Sequence, residues 1–256
     1  MKLDKTRDLI ANWLKEYAKN NGQKKLIVGV SGGIDSALTS TLCALSGITT
    51  IAVSMPIHQK KQEINLANKH IEWLTKMYTN TQMISINLTN LFDTYKTEIP
   101  LKYQSDLGLA NSKARLRMMT LYQIATKENG IVVGTGNKIE DFGIGFFTKY
   151  GDGGVDISPI ADLTKSEVQK LASFCGVHLD ILNAQPTDGL WEDGRTDENQ
   201  IGATYKELEW AMCFNKNREI TEREKEVIKI YQKLHRQNNH KMIPIPICNI
   251  PENFRN

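Results

Sequence analysis

Leu26-Ile27-Val28-Gly29-Val30-Ser31-Gly32-Gly33-Ile34-Asp35-Ser36-Ala37-Leu38 reads as a short apolar strand, a tight polar loop and the first turn of a helix. Residues 26–30 are a largely β-branched run of the buried-strand kind. Gly32 and Gly33 let the backbone take positive φ and let an anion come close. Ser36 opens a helix, with Ala37, Leu38, Leu42, Ala44 and Leu45 following at near-helical spacing. The N–H groups and the dipole of a helix start attract phosphate oxygens, and Ser31 and Ser36 add hydroxyls. Asp35 would repel a phosphate, so its presence calls for a divalent cation that bridges the two. No Gly-Lys-Ser/Thr follows the glycines, and Gly29, Gly32 and Gly33 do not fit G-x-G-x-x-G. The plain alternative is a glycine-containing strand-to-helix turn.

Outward from this stretch, apolar strands alternate with helical patterns. Residues 4–20 carry Leu9, Ile10, Trp13, Leu14 and Tyr17 on one stripe, for a core or a partner subunit, and Asn21-Gly22 ends that helix. Strands are expected at 49–55 and 82–88, and helices at 59–78, 91–98 and 109–129. The strand exit Ser54-Met55-Pro56 faces either a nucleotide base or nothing in particular. Gly130-Ile131-Val132-Val133-Gly134-Thr135-Gly136-Asn137 is another strand running into a glycine turn, which brings Thr135 and the following Lys138-Ile139-Glu140-Asp141 to the same crevice. This alternation predicts an α/β, doubly wound parallel sheet with ligands at the carboxyl ends of the strands.

Arg115 and Arg117 start the long helix two residues apart, so they cannot share a face. One points at an anionic ligand or a partner and the other at solvent or an acid, unless both belong to a solvated basic face. Residues 143–156 are too glycine-rich for regular structure and too apolar for a linker. They read as a shaped binding loop offering Lys149, Asp152 and Asp156 between Phe146, Phe147 and Tyr150, or as a structural Ω-loop. Thr164 and Glu167 form a capping box, and Lys165 sits in the first helical turn, where a cation is disfavoured unless it meets a phosphate. Residues 185–200 are acidic and turn-rich, a surface loop expected to order on ligand binding along with the substrate-touching part of 143–156. Helices follow at 204–213 and 221–237, then Asn239-His240-Lys241 and an extended end.

The bulk numbers narrow the class. The chain has 256 residues, 40% hydrophobic and 24% charged, as expected of one globular α/β domain. A net charge of +3 with interleaved acids gives no case for nucleic acid. The N-terminus has no apolar core for a signal peptide, and no stretch suits a membrane span, so a cytoplasmic protein is expected. Cys43, Cys175, Cys213 and Cys248 form no C-x-x-C pair, and the five histidines have no metal-ligand spacing.

Ser-Gly-Gly-x-Asp-Ser after a strand resembles the pyrophosphate loop of the ATP pyrophosphatase superfamily, the adenine-nucleotide alpha-hydrolase-like fold. Together with the start of the 109–129 helix, Gly134-Thr135 with Glu140, Pro186-Thr187-Asp188, His240-Lys241 and above all Phe146-Phe147-Thr148-Lys149-Tyr150-Gly151-Asp152-Gly153-Gly154, the chain resembles the NAD synthetases over nearly its whole length. The length leaves no room for a nitrilase-like glutaminase domain, so the resemblance is to the ammonia-dependent, homodimeric form, with residues 1–256 as a single domain. It implies that deamido-NAD, ATP and ammonia give NAD, AMP and pyrophosphate through an acyl-adenylate. ATP would meet Gly29, Val30, Ser31, Gly32, Gly33, Ile34, Asp35, Ser36, Thr135, Lys165 and Thr187. Deamido-NAD would meet Arg115, Lys149, Asp156, His240 and Lys241. Mg²⁺ would be held by Asp35 and Glu140, Lys165 would stabilise phosphate charge, and Asp152 would take a proton from ammonium. The chain departs from the family at Gly136-Asn137-Lys138-Ile139, where many members carry Asp-His-Ala-Ala before the glutamate. Other pyrophosphate-loop enzymes, such as a tRNA thiolase, lysidine synthetase or GMP synthetase, lack support here. A nucleotide sensor without turnover would not require Asp35, Glu140 and Lys165 together.

Overall fold

The computed structural model describes residues 1–186, 196–215 and 218–255. The strands are β1 (Lys25–Gly29), β2 (Thr49–Ser54), β3 (Thr81–Ser85) and β4 (Gly130–Val133). Among the described residues they form one parallel sheet in the order β3-β2-β1-β4. The chain steps outward from β1 to β3, then returns to the far side of β1. Between β1 and β4 the order reverses, so a crevice opens at their carboxyl ends.

Both faces of the sheet are covered, because successive strand residues point to opposite sides and both sets are apolar. Leu26, Val28, Ile131 and Val133 pack against α1 (Leu3–Asn20), α2 (Ile34–Leu45) and α6 (Lys165–Phe174). Ile27, Ile51, Val53 and Val132 pack against Phe92 of α4 (Thr89–Glu98) and against Met118, Leu121 and Ala125 of α5 (Asp106–Glu128). Between β2 and β3 runs α3 (Lys61–Met77), which buries Ala67 and Ile71 against Val30 and Ala52. The doubly wound α/β expectation therefore holds.

Beyond α6 come the short helices α7 (Leu179–Leu182) and α8 (Asp197–Ile201), then α9 (Tyr205–Cys213) and α10 (Glu222–Met242). Ile201, Tyr205, Leu208 and Val227 build a separate apolar cluster around Ile139 and Ile144. Those two belong to a short π-helical segment, Ile139–Ile144. Regular structure therefore intrudes into the stretch expected to be all loop.

Two helix boundaries differ from expectation for clear reasons. The start of α5 lies at Asp106, because the Ser105 hydroxyl caps the helix by accepting from the Gly108 N–H. Helix α10 continues through His240 and Lys241 to Met242. No glycine or proline intervenes before Pro244, so nothing stops the helix at residue 237.

Candidate functional site

The loop after β1 is held by its own hydroxyls. Ser36 Oγ donates to the Gly33 carbonyl at 2.9 Å and accepts from the Ser31 N–H at 3.2 Å, while Ser31 Oγ accepts from the Gly33 N–H. Gly29 closes β1, Val30 is buried, and Ile34 packs half-buried on the core. Gly32 has φ +92°, and a Cβ there would stand 2.8 Å from the Glu63 carbonyl and 3.0 Å from the Ala67 N–H. The backbone of α3 thus demands glycine at this position. Helix α2 has Gly33 as its N-cap and so no side-chain cap, which leaves first-turn N–H groups for an anion.

Lys165 stands beside that helix start. Its capping box is present: Thr164 and Glu167 exchange their bonds and fix the first turn of α6. The Lys165 ammonium donates to Asp35 Oδ2 at 2.6 Å and to Glu140 Oε1 at 3.0 Å. Burial alone would lower the Lys165 pKa, and the two carboxylates more than offset it, so the amine stays charged. Burial pushes Asp35 up, against the pull of Lys165. Two carboxyl groups thus share one ammonium.

Three further residues complete this cluster: Asn137, Asp141, which the sequence places at the crevice, and Tyr205, which it does not mark. Asn137 donates from Nδ2 to Asp35 Oδ1 at 3.2 Å, and its Oδ1 accepts from the N–H groups of Ile139 and Glu140. It thereby caps the π-helical segment and orients Asp35. Asp141 lies over Gly136, where a Cβ would meet its carboxyl oxygens at 2.1 and 2.2 Å. Burial, with Glu140, Asp152 and Asp35 nearby, pushes the Asp141 carboxyl up to about 8. Tyr205 donates its hydroxyl to Glu140 Oε1 at 2.5 Å, and its ring lies 4.7 Å from the Lys165 ammonium.

A second cluster joins the glycine-rich loop to α5 and α10. Arg115 donates to the Lys149 carbonyl at 3.2 Å, Lys149 donates to the His240 carbonyl at 2.8 Å, and Lys241 donates to the Phe147 carbonyl at 2.7 Å. His235 and Asn238 of α10 meet the carbonyls of Gly143 and Ile144. Thus one face of α10 holds the carbonyls that the π-helical segment and the following turn leave open. The His240 ring is exposed, with Nδ1 turned to the Gln237 carbonyl of its own helix. His240 and Lys241 are therefore last-turn residues of α10, not part of an extended segment crossing the site. Arg117 donates to the Met55 carbonyl at 3.0 Å. This bond ties α5 to the backbone at the β2 exit.

Asp152 lies between the two clusters. Its Oδ1 accepts from the Thr148 N–H at 3.0 Å, and the Thr148 hydroxyl is held by Asn111. Although exposed, Asp152 sits in a crowded crevice whose desolvation pushes its carboxyl up to about 6. Asp156 stands apart from the cations. Tyr122 and the Val132 N–H donate to its two oxygens beside β4. Thr135 is half-buried just past β4. Thr187 and most of the 185–200 loop lie outside the described residues.

The model of one protein family, NAD synthase, matches residues 7–244 of this chain. The chain belongs to the NAD synthase family. An NH(3)-dependent NAD(+) synthetase of Alkaliphilus metalliredigens (strain QYMF) is 39% identical over 259 residues, covering 94% of this chain and 96% of its own. In three dimensions, an NMN synthetase from Francisella tularensis is similar at a TM-score of 0.88 and 30% identity, covering 98% of this chain and all of its own. The NH3-dependent NAD synthetase from Campylobacter jejuni subsp. jejuni NCTC 11168 aligns at a TM-score of 0.80 with 24% identity over 97% of this chain, a likeness of fold. The NAD synthase fold thus puts the Ser31–Ser36 loop and the Lys165 cluster at the reversal point of the sheet.

Among the described residues, no group of three or more His, Cys, Asp or Glu side chains is arranged to hold a metal ion unaided. Asp35 and Glu140 nevertheless fit a magnesium site of the kind that takes one or two carboxylates plus phosphate oxygens. Both present hard oxygens to one cation already, the Lys165 ammonium.

Proposed function

We propose that this member of the NAD synthase family amidates the nicotinate carboxyl of deamido-NAD with ammonia, using ATP and releasing AMP and pyrophosphate. This is the last step of NAD biosynthesis. A nicotinate oxygen attacks the α-phosphorus of ATP and pyrophosphate leaves. Ammonia then attacks the acyl carbon and AMP leaves. The observation that carries this reading is the Lys165 ammonium fixed between Asp35 and Glu140, beside the uncapped start of α2.

Such a reaction needs charge neutralisation and alignment more than a strong base. The loop from Gly29 to Ser36 would cradle the phosphates with its N–H groups and hydroxyls. Lys165 would turn toward the phosphate charge as it develops, and Thr135 and Thr187 would complete the ATP contacts. Asp35 and Glu140 would hold Mg²⁺, which would supply charge neutralisation on the phosphates. Arg115, Lys149, His240 and Lys241 gather where the pyrophosphate of deamido-NAD would lie. Asp156 would contact the nucleotide from the β4 side. Asp152, with its raised pKa, would accept the proton that ammonium must lose to become a nucleophile.

The same reading takes residues 1–256 as one catalytic domain that works as a homodimer in the cytoplasm. The second copy would cover Tyr95, Leu101, Tyr103, Leu107 and Met119, exposed apolar side chains on α4, on α5 and on the 3-10 turn between them. A reducing compartment agrees with four unbridged cysteines. No helix among the described residues is long and apolar enough to cross a membrane.

The likeness to the Francisella NMN synthetase favours a second reading, in which nicotinate mononucleotide is the carboxylate substrate. One experiment tests both. Purified protein is given ATP, Mg²⁺ and ammonium with equal deamido-NAD and nicotinate mononucleotide, and NAD and NMN are separated by chromatography. NAD as the main product supports the first reading, and NMN the second. Neither product, or product from glutamine alone, would refute the proposal.

A further inference from the structure

The phenol of Tyr205 touches two members of the Lys165 cluster through two different parts of one side chain. Its hydroxyl, a donor, reaches Glu140 Oε1 at 2.5 Å and Asp197 Oδ2 at 3.2 Å. Its ring face lies 4.7 Å from the Lys165 ammonium. Glu140 Oε1 is the oxygen that also accepts from Lys165, so phenol and ammonium meet at one atom. Tyr205 itself is fixed. It is 4% exposed, sits in the first turn of α9 behind a complete Thr204–Glu207 capping box, and its N–H is taken by Glu198 Oε1.

A carboxylate on the edge of a crevice has rotational freedom, and a lysine between two acids has two orientations to choose from. A rigid aromatic ring limits both: it donates one directed bond and offers one face to a cation. Burial and the neighbouring carboxylates hold the phenol pKa far above its ordinary value, so the hydroxyl remains a neutral donor throughout the physiological range.

We propose that Tyr205 is a positioning residue for adenylation, its hydroxyl aiming the Glu140 carboxylate and its ring holding Lys165 in reach of the phosphate site. This rests on the function proposed above. Tyr205 would act through Glu140 and Lys165, without touching substrate. The two roles belong to different parts of the side chain, so they can be separated by substitution.

The test compares Tyr205→Phe and Tyr205→Leu with wild type, and uses Leu208→Val, a core change on the same helix, as a control for packing. Turnover, the KM for ATP and the rate of reductive methylation of Lys165 (read by mass spectrometry) are measured. Tyr205→Phe is expected to lower kcat at least about tenfold while the KM for ATP stays within about threefold and Lys165 labels as in wild type. Tyr205→Leu is expected to lose more activity and to label Lys165 at least about fivefold faster. Leu208→Val lowers the melting temperature and leaves both readouts near wild type. A purely structural tyrosine would follow the control. The inference is overturned if Tyr205→Phe keeps kcat within about twofold, or if folded Tyr205→Leu labels Lys165 at the wild-type rate. Should Tyr205→Leu fail to fold, the kinetic split in Tyr205→Phe decides. Wild-type protein inert toward both nucleotides would refute the functional reading instead, and the labelling comparison would still report on how Lys165 is held.

Discussion

Replacing Lys165 by methionine removes the cation and keeps most of the side-chain volume. It leaves Asp35 and Glu140 without their shared partner. Both carboxylates bond the same ammonium, at 2.6 and 3.0 Å. Their oxygens therefore lie within about 6 Å of each other, where two unit charges repel by about 3 kcal/mol at an effective dielectric of ~20. Removing a buried ion pair entirely is often neutral, whereas removing one partner is costly because a desolvated charge stays behind. The side chains of Lys165, Asp35 and Glu140 are 11%, 18% and 16% exposed, so water screens them poorly. A loss of about 3 kcal/mol corresponds to a fall in melting temperature of roughly 6 °C for a chain of this size. The assay is thermal unfolding by circular dichroism at pH 8. Adding Mg²⁺ should restore more stability to Lys165→Met than to wild type, because a divalent cation can rejoin the carboxylates. The triple variant Lys165→Met, Asp35→Asn, Glu140→Gln should recover most of the loss. Turnover should fall by about 10²–10³ in the single variant. A melting temperature within about 1 °C of wild type, unmoved by Mg²⁺, would refute the idea that this lysine neutralises two confined carboxylates.

Other expectations concern separate parts of the molecule. His70 is 1% exposed, bonds Ser40 from Nε2 at 2.9 Å, and is pushed by burial down to about 4. The unfolded chain takes up this proton below about pH 6.5 and the native one only near 4, so stability falls across that window by about 3 kcal/mol; urea unfolding of His70→Asn should show a flatter slope with pH. The Asp152 carboxyl, pushed up to about 6, predicts an acid limb near pH 6 in the rate of amidation; Asp152→Asn should lose that limb and at least about 10² in kcat, with ATP binding by calorimetry unchanged. Gly145 has φ +62°, and a Cβ there would meet Asn238 Cβ at 2.5 Å. Gly145→Ala should therefore loosen the loop from α10 and raise the KM for the nicotinate nucleotide about tenfold or more in steady-state assays, leaving that for ATP within about twofold.

The framework of the fold was legible because its causes are local. Residues 26–30 and 130–133 are continuous apolar runs, the pattern of a short strand covered on both faces. The Thr164–Glu167 box announced the start of α6 and with it the place of Lys165. The ends of elements were less legible where one side chain decides them, as at Ser105, or where no residue stops the helix, as at His240 and Lys241. The π-helical segment escaped notice altogether. Gly143 and the Gly145 just past its end read as loop, and it is stabilised from outside by Ile201, Leu208 and the polar face of α10.

The site divides in the same way. Ser31, Gly32, Gly33, Asp35 and Ser36 share one short loop, and their spacing alone describes a phosphate cradle. Asp35, Glu140 and Lys165 are brought together by bonds spanning 130 and 25 residues, and no local pattern encodes such a meeting. Asn137 marked itself only as a departure, and the structure gives that departure a purpose: an amide that caps the turn ahead of Glu140 while it donates to Asp35. Tyr205 carried no mark at all, because a tyrosine in the first turn of an amphipathic helix is ordinary core. It becomes functional through the partners that its ring and hydroxyl meet across 65 residues of chain, and its two contacts are separable by removing one oxygen atom. The chemistry of this site is therefore written locally in its anion cradle and non-locally in the charges that neutralise one another beside it. For that reason the cradle tolerates little change at glycine, whereas the charge cluster should respond to paired substitutions that restore its balance.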